Sequence, residues 1–319
     1  MNSKLTTTKN LWDLVLTDSL NIKQLDIDSF RQIGRDNCRL GTWDAIDQSS
    51  RYYKSLLYSN AENIDKQILK SELPLENKKN GDGLRYYLKN IRNQNIGNPP
   101  TVNYFNNEIS IDYLLSTEEM FFLDEVLKKS KTVMEIGAGF GRLSHSIIQN
   151  FENIDRYIIV DLDEVLELAK IYMSKVLNEQ EFLKIDFISH KNIKELECNA
   201  RIDVSINIDS FQEIDESVVL DYLQFISKNS NYFYTKNAIG KYDPDIVDIQ
   251  LKNNSQIKSA LNMGLCKDII DIFDSNEIQK ARLTYLNRFC PSNFIVSKHE
   301  ACFGQYLYYY SALYEHKEN

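Results

Sequence analysis

Along this chain apolar positions switch between two periods. From residue 130 onward, short apolar runs at 132–136, 156–161, 182–187, 202–208 and 231–235 read as buried strands. Between them, Glu164 to Leu177 and Ser217 to Ser227 carry apolar residues at helical spacing. Strands separated by helices predict parallel pairing through crossovers, hence an α/β sheet with helices on both faces. Further on, alternation over Arg282 to Phe289 and Gln305 to Tyr310 predicts the last two strands, and Asp243 to Asn262 a helix inserted after the fifth. Such a sheet takes its ligand at the carboxyl ends of its strands, beside the point where strand order reverses.

The first 94 residues read differently, as polar and helical. Leu11, Trp12, Leu14 and Val15 suggest a short amphipathic start, and Tyr52, Tyr53, Leu56 and Leu57 form a helical stripe. Ser71 to Gly83 reads as a surface loop, and Tyr86, Tyr87, Leu88 and Ile91 as a further helix that ends at the Asn95–Pro100 turn. Ser116 and Glu119 have capping-box spacing ahead of a helix bearing Phe122, Leu123, Val126 and Leu127. The expected organisation is a helical extension over 1–94 and an α/β domain over 95–319, with a helical insertion around 243–280.

The densest chemical signal is Val133-Met-Glu-Ile-Gly-Ala-Gly-Phe-Gly-Arg142. A strand ends, three glycines let the backbone turn tightly against a ligand, and a helix opens with Leu143, Ile147 and Ile148. The next strand delivers Asp161, whose carboxylate can accept both hydroxyls of a ribose. A dinucleotide fingerprint needs a third glycine where this chain has Arg142. Glu135 ahead of the first glycine suits a cationic ligand better than a pyrophosphate. S-Adenosylmethionine therefore fits this turn better than NAD. Gly137, Ala138, Gly139, Gly141, Leu162, Asn207 and the loop residue Ser189 complete the expected cofactor contacts, with Arg142 at the cofactor carboxylate, at an acceptor phosphate, or exposed in the first helical turn.

The second signal is Asn207-Ile-Asp-Ser-Phe-Gln-Glu213, a polar strand end beside that crevice. Polar groups gathered there are costly to bury without partners. Either Asp209 or Ser210 caps the next helix, or the loop lines an acceptor pocket. In the second case Asp209 or Glu213 is the base, with Gln212 and Asn207 orienting. His190, after the third strand, is a rival base. The tyrosines at 306 and 308–310 either stack on a sugar or fill a half-buried strand; the structural reading is preferred.

Taken together, Glu135–Arg142, Asn207–Glu213, the Gly97–Pro99 turn and Tyr306-Leu-Tyr308 resemble the sugar O-methyltransferases of bacterial surface-polysaccharide clusters, within the class I S-adenosylmethionine-dependent methyltransferases. The resemblance spans about residues 95–310. It implies a Rossmann-like, mostly parallel seven-stranded sheet and a sugar or nucleotide-sugar substrate. In that class the acid before the glycines lies near the methionine end of the cofactor. Magnesium, which needs few protein ligands, is an alternative that Asp209, Glu213 and Asp215 could serve, though no metal is the preferred reading.

Composition narrows the partners. A formal charge of −9 over 319 residues argues against a nucleic-acid binder. Five scattered cysteines without C-x-x-C spacing suggest a reducing, cytoplasmic compartment. No apolar run approaches the roughly 20 residues of a membrane span. Homo-oligomerisation is compatible with all of this.

Overall fold

The computed structural model describes residues 26–31, 51–71, 81–196, 201–242, 261–302 and 308–318. The expected start at Leu11–Val15, nearly all of the Asp243–Asn262 helix, and Tyr306 lie outside the described residues, as do the side chains of Tyr52 and Tyr53.

Two helices, α1 (Arg51–Lys70) and α2 (Asp82–Leu88), precede a hairpin of β1 (Thr101–Tyr104) and β2 (Asn107–Ser110). Helix α3 (Ile111–Leu127) follows directly. It starts five residues before the expected capping box, with Ser110 as N-cap, because Ile111, Tyr113 and Leu114 already belong to its buried side. Ser116 therefore lies inside the helix and donates back to the Asp112 carbonyl at 3.2 Å. A capping box does form elsewhere. The Asn178 side chain accepts from Glu181 N–H, and Glu181 accepts from Asn178 N–H, at the start of the one-turn helix α6 (Glu179–Phe182). That turn takes Phe182 out of the expected third strand.

The central sheet has β3 (Thr132–Ile136), β4 (Arg156–Asp161) and β5 (Ile185–Ser189) on one side, and β6 (Ile202–Ile208) and β7 (Ser230–Ala238) on the other. Beyond β7 come β11 (Tyr309–His316) and then β10 (Phe294–Ala301). The order is β10-β11-β7-β6-β3-β4-β5, with β11 antiparallel to both neighbours and all other pairings parallel. A seven-stranded sheet with one reversed strand slotted second from its edge is the Rossmann-like methyltransferase fold. Strand order reverses between β3 and β6, which places the crevice at their carboxyl ends.

Residues alternate across the sheet with period two. Val133, Tyr157 and Ile159 face one core, against α3, α4 (Arg142–Asn150), α5 (Asp163–Val176) and the N-terminal helices. Met134, Ile136, Ile158 and Val160 face the other, against α7 (Glu216–Asn229) and α8 (Ser275–Arg288). Buried on both faces, the central strands read as unbroken apolar runs, which is why 132–136, 156–161 and 202–208 were visible in the sequence. Arg282–Phe289 is not a strand. Ala281, Tyr285, Leu286 and Phe289 are buried at helical spacing, and Asp274 caps the helix by accepting from Asn276 N–H. The short parallel pair β8 (Lys241–Tyr242) and β9 (Ile269–Ile270) lies outside the main sheet.

Candidate active site

The crevice begins where β3 ends. Gly137, Gly139 and Gly141 all have positive φ, of 75°, 59° and 93°, a region that side chains make costly. Their surroundings differ. A Cβ at Gly137 would overlap the Ser210 hydroxyl and lie 2.5 Å from its Cβ, and one at Gly141 would lie 2.7 Å from Met173 Cε. A Cβ at Gly139 would meet nothing within 4 Å. The first and third glycines let protein pack against protein, while the middle one faces open space. The Arg142 helix starts immediately after this turn, so the positive end of its dipole lies at the turn.

Asp161, at the carboxyl end of β4, reaches back over the turn. One carboxylate oxygen accepts from Gly139 N–H at 2.9 Å, and the other from Leu162 N–H at 2.8 Å. Burial pushes its pKa up to about 6, against the pull of those two N–H groups. Each oxygen keeps a second lone pair for a ligand hydroxyl. Ala138 and Leu162 are half-buried beside it.

Glu135 is not on this open face. Its carboxylate points into the first core, where it accepts from Tyr157 OH at 2.7 Å and Ser144 Oγ at 2.9 Å. Burial raises its pKa to about 7 despite those donors and nearby Arg142. The acid that suggested a cationic ligand thus sits beneath the turn, braced between β4 and α4.

Arg142 is likewise turned inward. It pairs with Glu119 at 2.6 and 3.2 Å and donates to Ser116 Oγ at 3.2 Å. On the same network, Lys236 from β7 reaches Glu118 at 2.6 Å and Glu119 at 3.2 Å. Two acids from α3 meet two bases from α4 and β7, all largely buried. Burial opposes the charge on Arg142 and Lys236, yet the paired glutamates overcome it and raise both pKa values. Sequence reasoning read Glu119 as a capping residue and left out Glu118 and Lys236; no local pattern joins positions so far apart.

The polar loop expected beside the crevice begins at the end of β6. Asn207 is fully buried and donates to the Ile136 carbonyl at 2.9 Å and to Ser210 Oγ at 2.5 Å, while its own carbonyl accepts from Asn237 at 2.8 Å. It ties β6 to β3. Asp209 has φ of 58°, a conformation that Asp tolerates better than most residues. It caps no helix: the N-cap of α7 is Asp215, which accepts from Ser217 N–H. Instead Tyr309 OH and Gln212 Nε2 both donate to Asp209 Oδ1. Gln212 also donates to Tyr309 OH at 2.8 Å and accepts from Ala238 N–H at 2.9 Å. Burial lifts the Asp209 pKa to about 6, opposed by the Tyr309 hydrogen bond and by Arg142 and Lys236.

Tyr309 is the residue the sequence undersold, since its run looked like strand filler. Tyr310 does fill that role, packing edge-on against Tyr285 with centroids 5.9 Å apart. Glu213 is buried in the short 3₁₀ turn Phe211–Glu213. Its charge favours the ammonium of Lys241, whose pKa burial lowers to about 8 and whose Nζ donates to the Gln212 carbonyl at 3.0 Å.

Ser189 and His190 lie at the end of β5, three strand positions from β6, or about 14 Å at the usual spacing between strands. The structure therefore does not bring His190 to Asp209. Ser189 accepts from Lys191 N–H at 3.4 Å and starts a 3₁₀ helix, directly across from Asp161 in the β4–β5 register. Among the described residues no three His, Cys, Asp or Glu side chains converge as metal ligands, and Asp215 is engaged as a helix cap. No described helix is long and apolar enough to cross a membrane.

The chain matches no family model and no curated protein. Solved structures similar to it include the methyltransferase domain of a bacterial Hen1 (13% identity, 63% of this chain and 96% of that one, TM-score 0.45). Others are the mitomycin 7-O-methyltransferase MmcR (11% identity, 64% and 56%, TM-score 0.43) and an O-methyltransferase family protein from Burkholderia thailandensis (12% identity, 64% and 58%, TM-score 0.40). The chain spans little more than half the length of the latter two. Strand order and the reversed β11 establish the fold independently of these likenesses.

Proposed function

We propose that this protein is an S-adenosylmethionine-dependent O-methyltransferase whose acceptor is a sugar hydroxyl, nucleotide-activated or glycan-linked. The observation that carries this reading is the pairing, across β3 and β6, of an open glycine turn overlooked by Asp161 with a raised-pKa carboxylate at Asp209.

The turn fits the cofactor by its shape. The side of Gly139 is empty where a nucleoside must lie, and Asp161 stands ready to accept from ribose hydroxyls. Gly137, Ala138, Gly139 and Leu162 would hold the cofactor with it, and Ser189 lies on the adenine side. When bound, the cofactor supplies a methyl group already activated on a sulfonium.

The chain's own residues then have two tasks. The first is orientation, since aligning the acceptor oxygen supplies much of the rate. Gln212, clamped between Asp209, Tyr309 and the Ala238 N–H, fixes the base rigidly. The second is proton removal. Asp209 is the base in this reading: a pKa of about 6 leaves it ionised near neutrality yet more basic than an ordinary carboxylate. Glu213 serves by facing Lys241 electrostatically, and the preference for Asp209 over Glu213 rests on its hydrogen-bonded position at the strand end. The polar character of this edge favours a polyhydroxylated acceptor. Another small hydroxylated natural product would use the same cofactor turn and base.

Incubation with S-adenosylmethionine and a panel of nucleotide-linked sugars, read by mass spectrometry, should show one product heavier by one CH₂ group. Binding of S-adenosylhomocysteine with no product from sugars or other hydroxylated small molecules would leave a binding protein rather than an enzyme. Thermal stabilisation by NAD alone would point to an oxidoreductase.

A further inference from the structure

One group of buried residues takes no part in this chemistry, yet it touches the cofactor turn. Phe140, 5% exposed, stands between Gly139 and Gly141. Its ring meets Phe30 edge-on at 5.3 Å and Tyr172 at 5.0 Å. The Arg31 guanidinium lies 5.5 Å from the same ring and 5.0 Å from that of Tyr113. Phe30 and Arg31 therefore press on the outer side of the turn from a segment more than a hundred residues upstream.

That segment is firmly docked. Arg31 pairs with Asp112 at 2.9 and 3.0 Å and donates to Ser110 Oγ at 3.1 Å. It also donates to the carbonyls of Gln94 at 2.6 Å and Ile96 at 2.9 Å, and to Tyr172 OH at 3.4 Å. Arg31 N–H reaches the Gly97 carbonyl at 2.9 Å. A Cβ at Gly97 would lie 2.7 Å from Phe30 and 2.9 Å from Arg31, so that glycine makes room for the clasp. Tyr172 OH continues to Tyr113 OH at 2.6 Å, and Tyr113 to His145 at 2.6 Å, inside the helix that the turn begins.

We infer that the Phe30–Arg31 segment is a clasp that positions the glycine turn for its ligand, with Arg31 as the positioning residue. It holds Phe140, and hence the backbone on either side of it, in the shape that leaves the Gly139 face open. An aromatic ring wedged between two left-handed glycines has little backbone restraint of its own; the surrounding rings and the fixed guanidinium fork supply it. An ammonium at position 31 could keep the Asp112 pair but not the planar fork that serves five partners at once.

The inference builds on the cofactor reading, and two measurements separate them. Hydrogen exchange of residues 137–142 in the ligand-free, full-length protein reports on the turn itself. Calorimetry with S-adenosylhomocysteine reports on binding. The variants are Arg31→Met, the milder Arg31→Lys, and Leu286→Ala as a control that loosens the opposite core. We expect exchange at 137–142 to accelerate in Arg31→Met and less so in Arg31→Lys, with wild-type rates there in Leu286→Ala. Affinity for S-adenosylhomocysteine should fall about tenfold in Arg31→Met, the scale of a small misplacement. Should Arg31→Met not fold, the same ordering in Arg31→Lys against the control decides the matter. Unchanged exchange at the turn in a folded Arg31 variant, or equal acceleration in the control, would overturn the clasp. A wild-type protein that does not bind S-adenosylhomocysteine would refute the cofactor reading while leaving the exchange result to judge the clasp alone.

Discussion

The cofactor turn and the acceptor edge are neighbours built in opposite ways. The turn is local: ten consecutive residues, three of them glycines, with one carboxylate from the next strand. Its working surface is main chain, and its selectivity comes from what is absent at Gly139. The acceptor edge is assembled from side chains far apart in sequence, Asp209, Gln212 and Tyr309, which share hydrogen bonds around a single carboxylate oxygen. A site made of backbone depends on whatever holds that backbone in shape. A site made of converging side chains should lose most of its function when the central carboxylate is replaced, and be retuned when a donor to that carboxylate is replaced, while the fold survives.

That difference can be tested from its strongest consequence downward. Asp209→Asn should lower kcat by about 10²–10⁴, the usual scale for a general base, with unchanged affinity for S-adenosylhomocysteine. In the wild type the rate should rise with pH through about 6 and then level off, because the base works only when ionised. The variant should lack that limb. Steady-state kinetics over pH 5–8 would settle both points, and a variant that keeps full activity would remove Asp209 from the mechanism.

On the turn, alanine at Gly139 and at Gly137 should give contrasting results. Gly139→Ala forces a side chain into a left-handed conformation, costing about 1–2 kcal/mol of stability. Its methyl enters the ligand face and should weaken binding by about 1–3 kcal/mol, or roughly five- to 150-fold in Kd. Gly137→Ala drives its methyl into Ser210, so the greater loss should appear in the melting temperature. Equal effects of the two substitutions on both readouts would remove the distinction.

A smaller change should follow Tyr309→Phe. It deletes a donor to Asp209, and a carboxylate with fewer donors holds its proton more tightly. The acid limb of the rate profile should move to higher pH, by about half to one unit, while the plateau changes little. A limb that stays in place would mean that this hydrogen bond does not tune the base.

A last effect concerns stability and leaves the chemistry alone. Glu135 has a pKa raised to about 7 by burial, so the folded state holds its proton at pH values where the unfolded chain has released it. Stability from this group is therefore lost as pH rises from the unfolded value toward the folded one. Glu135→Gln, which keeps an acceptor for Tyr157 and Ser144, should melt like the wild type near pH 4. Near pH 8 it should be more stable, by about 1–3 kcal/mol. A pH-independent difference would show that the carboxylate is not carrying that cost.

The same contrast explains what could be read from the sequence. The turn, β3, β4 and β6 were legible because each is specified by contiguous residues, glycines at special φ or apolar runs buried on both faces. Glu135 was seen as important, but its direction was not, since strand parity alone does not say which core a carboxylate enters. Asp209 stood out as a polar residue at a strand end, whereas its partner Tyr309 did not. Their separation of 100 positions leaves no periodic trace. The α8 helix was mistaken for a strand because a short alternating window matches both periods, and only burial of Ala281, Tyr285 and Phe289 along one side distinguishes them. The Arg31 clasp carried no signal at all, because an isolated arginine in a polar stretch looks like surface.

The reversal of β11 has a consequence of its own. Every other strand in the sheet brings its last residues to the crevice, but β11 arrives with its first, pairing Tyr309 with Ala238 and leaving Glu315 opposite Tyr232 at the far rim. Under the proposed function, this reversal sets Tyr309 beside Asp209 rather than at the far rim, two strands beyond β6, while Asp161 lies on the other side of β3. In the proposed enzyme, exchanging residues along this rim would alter acceptor preference and leave the glycine turn's grip on its coenzyme unchanged.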